Sequence, residues 1–450
     1  MRKFIAQQFG NPLYDFFNKS TLTKYYKEFK PILYSDRKEI EEFQFAKLKR
    51  LLEHAYENVP FYRNRFDKLK ITPNDITSLS DFATFPSLKR EDLQNNWKEI
   101  IALNYDQSKL KKGSSSGSTG VPVVYYKDMN AISAGKAAHQ LGWELSGWEL
   151  GLKGLHIWGN PDTVNKEWKR FSSKMKVKVF NHHKYPSYKL TEKGRFDELI
   201  NLINKEKYDF LDGYTNSLYL LADYVKTHNI KIHKPLYVLP TGENLQNFQK
   251  ILIEEVLGNV YDEYGCSEIN GIAYECNKCK KYHVLEPHVI VEYGKEMTNE
   301  REQALIITDL DNYGFPLIRY ENGDAGIQID QENDKNGCEI KLNRIETISG
   351  RISDIVNLPD GGVLSVPSFF GSMLLKQLNG IKQYQIERIE LDELIIKLVV
   401  NENFSDSSIT KMEESLKTYL GNSIKWKIKL VDKIEVSKTG KFKLLIDKTK

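Results

Sequence analysis

Between about residues 100 and 345, short apolar runs alternate with stretches of helical periodicity, and this alternation constrains the fold more than any other feature. Residues 154–158, 236–239 and 304–308 are apolar runs of strand length. Residues 196–203 and 218–225 carry apolar side chains at helical spacing between them. Strands separated by helices predict an α/β body. The flanks read differently. Over about residues 1–100 the pattern is helical: Phe45, Leu48, Leu52, Ala55 and Val59 share a face, and Pro60 stops the run. Pro86 and the charged residues Lys89 to Asp92 punctuate shorter helices. The end of the chain reads strand (393–400), helix (407–420, closed by Gly421), strand (424–431), a separable α+β unit. The predicted division is 1–350 and 351–450.

Composition narrows the function classes. A chain of 450 residues and 52.2 kDa exceeds one ordinary core. Lys plus Arg number 65 against 61 Asp plus Glu, a net charge of +4, which argues against a dedicated nucleic-acid binder. No apolar run reaches the roughly 18–20 residues of a membrane span, so no transmembrane segment is expected. Glutamines at 7 and 8 interrupt any signal-peptide core, and four cysteines are too few for a disulfide framework. A cytoplasmic location is expected. The aromatic-rich start (Phe4, Phe9, Tyr14, Phe16, Phe17, Tyr25, Tyr26) is expected to pack on the body, with a membrane surface or a partner as alternatives.

One low-complexity stretch carries chemistry. Gly113 to Pro122 interleaves glycine with hydroxyl residues, including Ser116, Gly117, Ser118, Thr119 and Gly120. Such a loop lets backbone N–H groups converge while hydroxyls donate to anionic oxygens, so a polyphosphate is a natural guest. A Ser/Gly linker is the plain alternative. No Gly-Lys-Ser/Thr ends the loop, so it is not a Walker A motif, and it lacks the paired glycine of a dinucleotide fingerprint.

Further motifs follow in order: Thr241-Gly242-Glu243, Tyr264-Gly265-Cys266-Ser267-Glu268, Arg319-Tyr320-Glu321-Asn322-Gly323-Asp324, Gly350-Arg351-Ile352-Ser353-Asp354 and Ser437-Lys438-Thr439-Gly440-Lys441. With the Ser/Gly loop, this order resembles the adenylate-forming (acyl-CoA synthetase) superfamily. Within it the chain is most similar to the phenylacetate–CoA ligase branch, which includes capsule-biosynthesis proteins. Leu51 to Arg63 and Leu79 to Pro86 resemble that branch's N-terminal pattern. The resemblance implies a large adenylating domain of mixed sheets and helices, followed by a small mobile α+β domain. It also implies that a carboxylic acid attacks the α-phosphate of ATP, releasing pyrophosphate and leaving an acyl-AMP. A thiol acceptor, coenzyme A, then displaces AMP; transfer to an amine on a sugar or amino acid is the alternative. A setting in capsule polysaccharide biosynthesis, and a homodimer, stay open.

The resemblance assigns roles residue by residue. Lys441 supplies positive charge to the developing transition state, and Glu268 holds Mg²⁺ with the phosphates. Ser116 to Gly120 cradle phosphate, Tyr264 stacks on adenine, and Ser267 meets the α-phosphate. Gly242 and Glu243 form the adenine-side loop, Asp324 accepts from the ribose hydroxyls, and Arg351 contacts ribose or phosphate. Ser353 takes the hinge position. Relatives usually keep an arginine just after the lysine, whereas this chain has Lys443-Leu444-Leu445. For Glu268 the plain alternative is a carboxylate at a helix start.

Cys276-x-x-Cys279, His283 and Cys338 have the makings of a closed Cys₃His zinc site, with free thiols as the alternative. Cys266 is expected to be a small packing residue. The acid pocket is expected near Trp158-Gly159-Asn160, Asp212-Gly213-Tyr214 and Leu239-Pro240-Thr241, whose polar content predicts an acid more polar than phenylacetate. Two rivals are weighed. Asp309-Leu310-Asp311 mimics the metal triplet of a sugar-nucleotide glycosyltransferase, and an inactive zinc-stabilised adaptor is the non-enzymatic reading.

Overall fold

The computed structural model describes residues 2–115, 123–158, 180–187, 190, 194–296, 302–329, 338–351, 355–357, 363–366, 380–420, 424–434 and 443–449. A helical segment comes first: α1 (Arg2–Asn18), α2 (Leu22–Ile32), α3 (Arg37–Asn58), α4 (Pro60–Leu69), α5 (Leu79–Phe82) and α6 (Arg90–Ile100). Capping chemistry sets its boundaries. The Asp15 carboxylate accepts from the N–H groups of Leu22 and Thr23 at 2.7 and 2.8 Å, and Asp36 accepts from Glu39 at 2.9 Å. Pro60 both ends α3 and begins α4, because a proline in the first turn forfeits no helical hydrogen bond.

The aromatic start needs a correction. Tyr25 is buried and Tyr14 and Tyr26 pack against the body, as expected. Phe9, Phe16 and Phe17 do not: they stand 55%, 79% and 39% exposed. The side chain of Phe4 lies outside the described residues.

β1 (Lys111–Ser115) and β2 (Val123–Lys127) pair antiparallel, with Ser115 opposite Val123. The glycine–hydroxyl stretch therefore closes a hairpin instead of linking two domains. Ser116, Gly117, Ser118, Thr119 and Gly120 themselves lie outside the described residues. α7 (Met129–Leu145) follows, capped by Asp128, whose carboxylate accepts from Ala131 N–H at 2.8 Å.

β3 (Gly154–Trp158), β4 (His182–Pro186), β5 (Phe210–Tyr214) and β6 (Tyr237–Thr241) form a parallel sheet in the order β4-β3-β5-β6. Helices Arg195–Glu206, Thr215–Thr227 and Asn247–Val256 bury one face with Leu155, Ile157, Leu211 and Val238. Phe210, adjacent to Leu211 and so on the opposite face, packs on Trp143 of α7 and on Trp148. A sheet covered on both faces explains why its strands read as apolar runs.

β7 (Glu263–Tyr264), β8 (Ala273–Glu275), β9 (Tyr282–Val284), β10 (Val289–Glu296), β11 (Glu302–Asp309), β12 (Tyr320–Gln328) and β13 (Arg344–Arg351) form a second sheet of seven strands, order β10-β11-β12-β13-β9-β8-β7. Its neighbours all run antiparallel. The N-terminal helices bury Leu48, Leu52, Tyr62 and Phe66 in a core shared with Ile307, Phe315 and Tyr320 of this sheet and its loops.

Beyond β13 lie the small pair β14 (Ile355–Asn357) and β15 (Val363–Ser365). A four-stranded sheet then orders β16 (Ile381–Glu390), β17 (Glu393–Val400), β18 (Lys425–Leu430) and β19 (Leu445–Asp447) as β18-β17-β16-β19. With helix Asp406–Leu420 it encloses a core of Ile386, Leu394, Ile396, Leu398, Met412 and Leu416. The predicted strand–helix–strand order is present, and Gly421 lies outside the described residues. This unit meets the body through Lys382, 3.2 Å from Asp223, and through the Tyr384 ring, 6.0 Å from that of Phe248. The chain is thus a mixed α/β protein with a terminal α+β unit.

Candidate active site

Two predicted residues 60 positions apart in sequence meet at one carboxylate. Tyr264, at the end of β7, donates its hydroxyl to Asp324 Oδ2 at 2.9 Å. Asn322 Nδ2 donates to the same oxygen at 2.7 Å and to the Tyr264 hydroxyl at 2.7 Å. Asp324 sits on β12 directly opposite Arg351 on β13, so two motifs are brought into register by one strand pair. The side chain of Arg351 lies outside the described residues. Tyr264 is 7% exposed, and burial first, then the Asp324 charge, pushes its phenol well above the usual range.

The loop after β7 places the next group. Glu268 is 4% exposed and lies outside any helix or strand, so the helix-start reading of this carboxylate is overturned. Its Oε2 accepts from Ser267 Oγ at 3.0 Å and its Oε1 from the Tyr320 hydroxyl at 3.3 Å. Tyr125 of β2, the strand following the glycine–hydroxyl loop, hydrogen-bonds Ser267. Lys127, two residues on, donates to Asn270 at 3.1 Å and feels the charges of Asp309, Cys266 and Glu268, while burial draws its ammonium pKa down. Burial pushes the Cys266 thiol up, consistent with a packing residue and not a nucleophile.

Gly242 follows β6 with φ +77°, and a Cβ there would come within 3.2 Å of Trp158 and of Tyr214. Those two rings stack at 3.8 Å. Glu243 accepts from Asn216 N–H at 2.8 Å, at the start of helix Thr215–Thr227, so its carboxylate has a capping duty. Two residues before Trp158, and so on the same face of β3, His156 Nδ1 contacts the buried Asp212 carboxylate. Gly159, Asn160, Ser353 and Lys441 lie outside the described residues.

The sequence reading missed Asn322, Tyr320, Tyr125, Lys127 and the His156–Asp212 pair. Asn322 and Tyr320 were inside a quoted motif, and their position between Arg319 and Asp324 was the available signal. Tyr125, Lys127 and His156 had none, because only tertiary packing brings them near the site.

The Asp309–Asp311 triplet is removed from consideration as a glycosyltransferase site. Asp311 is 2% exposed and paired with Lys47 Nζ at 2.6 Å and His288 Nδ1 at 2.8 Å. His288 Nε2 lies 3.0 Å from the carbonyl of Asn270, so the network is a buried brace behind the Glu268 loop.

The cysteine cluster assembles. The ligand atoms of Cys276, Cys279, His283 and Cys338 all lie within 4.8 Å of one another, and all four residues are buried. Cys276 Sγ is 4.0 Å from Cys338 Sγ, and Cys279 Sγ is 3.3 Å from His283 Nε2. A tetrahedron with metal–sulfur bonds of about 2.3 Å has edges of about 3.8 Å, so the separations suit a zinc-sized centre. The hydrogen bond between Cys276 and Cys279 lowers the Cys276 thiol against the opposing effect of burial and raises that of Cys279, so one of the two is favoured as a thiolate. A ready thiolate is what zinc requires.

Three comparisons with known proteins bear on this fold. Residues 362–448 match the family described as the CapK C-terminal domain. The crystal structure of 2-hydroxyisobutyryl-CoA ligase in a postadenylation state superposes with a TM-score of 0.73 at 18% identity, covering 92% of this chain and 91% of that one. By sequence, the chain is similar to CapK and to phenylacetate–CoA ligases. It is 25% identical to protein CapK of Staphylococcus aureus over 444 residues, covering 96% of this chain and 95% of that protein. It is 24% identical to the phenylacetate-coenzyme A ligase of Aromatoleum evansii over 449 residues, covering 94% and 97%.

Proposed function

We propose that this protein uses ATP to activate a carboxylic acid as an acyl-AMP, releasing pyrophosphate, and then transfers the acyl group to coenzyme A. The meeting of Tyr264, Asn322 and Asp324 beside Glu268, in a chain aligned nearly end to end with phenylacetate–CoA ligases, carries the reading. With Oδ2 anchored by two donors, the Asp324 carboxylate is held in one orientation for the ribose hydroxyls. Tyr264 borders the base and serves as that anchor. Glu268 suits Mg²⁺, which is commonly held by one or two carboxylates together with substrate phosphates; the ion supplies charge for the departing pyrophosphate. Ser267 and the loop 116–120 face phosphate. Lys441 brings positive charge to the α-phosphorus as the acid oxygen attacks. The division near residue 350, with Ser353 as hinge, lets the terminal unit carry Lys441 in for this step and out for thioester formation. His156 and Asp212 on the Trp158 side support an acid more polar than phenylacetate, in a cytoplasmic capsule-biosynthesis setting.

Acid-dependent pyrophosphate release over a panel of carboxylic acids tests the function, and thioester formation with coenzyme A tests the acceptor. Lys441→Ala should lower pyrophosphate release by at least about a thousandfold while sparing thioester formation from supplied acyl-AMP. Equal loss of both half-reactions removes Lys441 from its role. Release fastest with phenylacetate removes the polar acid, and acyl transfer to an amine in place of coenzyme A removes the thiol acceptor.

A further inference from the structure

A surface helix ordinarily turns its apolar stripe toward the core and its polar face to water. α1 is reversed. Ala6 is 0% and Asn11 6% exposed, and Gly10 lies against Leu150 and Phe180, so these small and polar residues form the face packed on the body. Phe9, Leu13, Phe16 and Phe17, spaced i, i+4, i+7 and i+8, form the stripe adjoining that face and are 55%, 36%, 79% and 39% exposed. Pro12, inside the helix, is exposed as well. Phe9 and Phe16 thus keep more than half of their surface exposed.

The segment of sequence that carries this stripe is rich in basic residues, of which Lys30 is paired with Glu144 at 3.0 Å. Residues 1–34 hold six basic residues (Arg2, Lys3, Lys19, Lys24, Lys27, Lys30) against Asp15 and Glu28, a net of +4. That equals the net charge of the entire chain, so everything after residue 34 balances. Lys19, Lys24 and Lys27 are exposed. At about 200 Å² per large side chain, the four apolar residues offer on the order of 400 Å², roughly half of what each partner gives to a standard protein interface. A second copy of this chain would also bring the same positive charge against itself. A sheet of negative charge with an apolar interior meets both requirements.

We propose that α1 and the basic turn after it form a docking surface for an anionic lipid bilayer, with Phe9, Leu13 and Phe16 entering the headgroup–acyl boundary. The helix lies in the plane of the interface, since no described helix is long and apolar enough to cross a membrane. At 17 residues α1 is about 25 Å long, so its axis runs along the lipid surface.

Co-sedimentation of the full chain with vesicles of phosphatidylglycerol and phosphatidylcholine, against vesicles of phosphatidylcholine alone, tests this. Binding should require the anionic lipid and weaken as salt rises. The double variant Phe9→Ser, Phe16→Ser should partition at least about tenfold less, with Tm and pyrophosphate release unchanged. Lys24→Glu with Lys27→Glu should weaken binding to the anionic vesicles without touching the stripe. The proposal fails if the chain ignores anionic vesicles, or if the serine variant binds them as well as its parent. It also fails if the parent is a dimer that the serine variant converts to a monomer, since the stripe is then a contact between copies.

Discussion

At Asp324 a single carboxylate oxygen takes hydrogen bonds from Tyr264 and Asn322, so the acid's orientation is fixed before any nucleotide arrives. A hydrogen bond to a charged group is worth about 1.5–3 kcal/mol. Tyr264→Phe keeps the buried ring and removes the donor. It should raise KM for ATP roughly tenfold and leave kcat within about threefold, read from initial rates of pyrophosphate release. A second residue gives a pH signature. Burial pushes Asp262 up from 3.8 to about 7, although Tyr282 donates to it at 2.6 Å. In the unfolded chain this acid loses its proton near 3.8, whereas the folded protein keeps it until about 7, so the native state binds more protons between. Stability from this group is therefore lost as pH rises across that window. Asp262→Asn should raise Tm at pH 8 relative to its parent, with the gain shrinking toward pH 4, measured by thermal unfolding in matched buffers. The sequence displayed Asp324 and Glu268 because their motifs are local strings. It hid Asn322's bonds, the His156–Asp212 pair and the buried environment of Asp262, all of which depend on partners distant along the chain.

Asp128 shows how one side chain can join elements. One oxygen caps α7 at Ala131, and the other accepts from the N–H groups of Tyr313 and Gly314 at 3.0 and 2.9 Å. The side chain thereby ties the start of α7 to the turn between β11 and β12. Asp128→Ala removes the cap and strands two donors, and should lower unfolding free energy by about 3 kcal/mol, measured by urea denaturation. Gly142 settles α7 on the second sheet, since a Cβ there would fall 2.1 Å from the Tyr274 ring. Legibility at this scale followed burial. Strands such as β3 and β11 were visible because each contains a short apolar run, and β17 because it was strand-like over its whole length. β7, β8 and β9 are two or three residues long and owe their shape to pairing, leaving no periodic signal. For α1 the sequence showed an aromatic-rich start but not which of its rings would be buried.

For the whole molecule, the cysteine cluster joins Cys276 and Cys279, between β8 and β9, to Cys338 just before β13. We infer a structural zinc here, linking parts of the sheet that are distant in sequence. Elemental analysis should find one zinc per chain, absent in Cys276→Ser, and a chelator should lower the parent's Tm by about 5 °C or more. An unchanged Tm with no zinc found returns these residues to free thiols. The order of the seven strands carries a further consequence. β13 pairs with β12 on one side and with β9 on the other, so among the described residues it alone joins β7–β9 to β10–β12. Tyr264 belongs to the first group and Asp324 to the second. On the ribosome, Tyr282 emerges some 60 residues before its partner Ile345, a wait of about 3–12 s at ordinary synthesis rates. Until then the nascent chain carries two unjoined half-sheets with bare edges, and Tyr264 and Asp324 belong to separate halves.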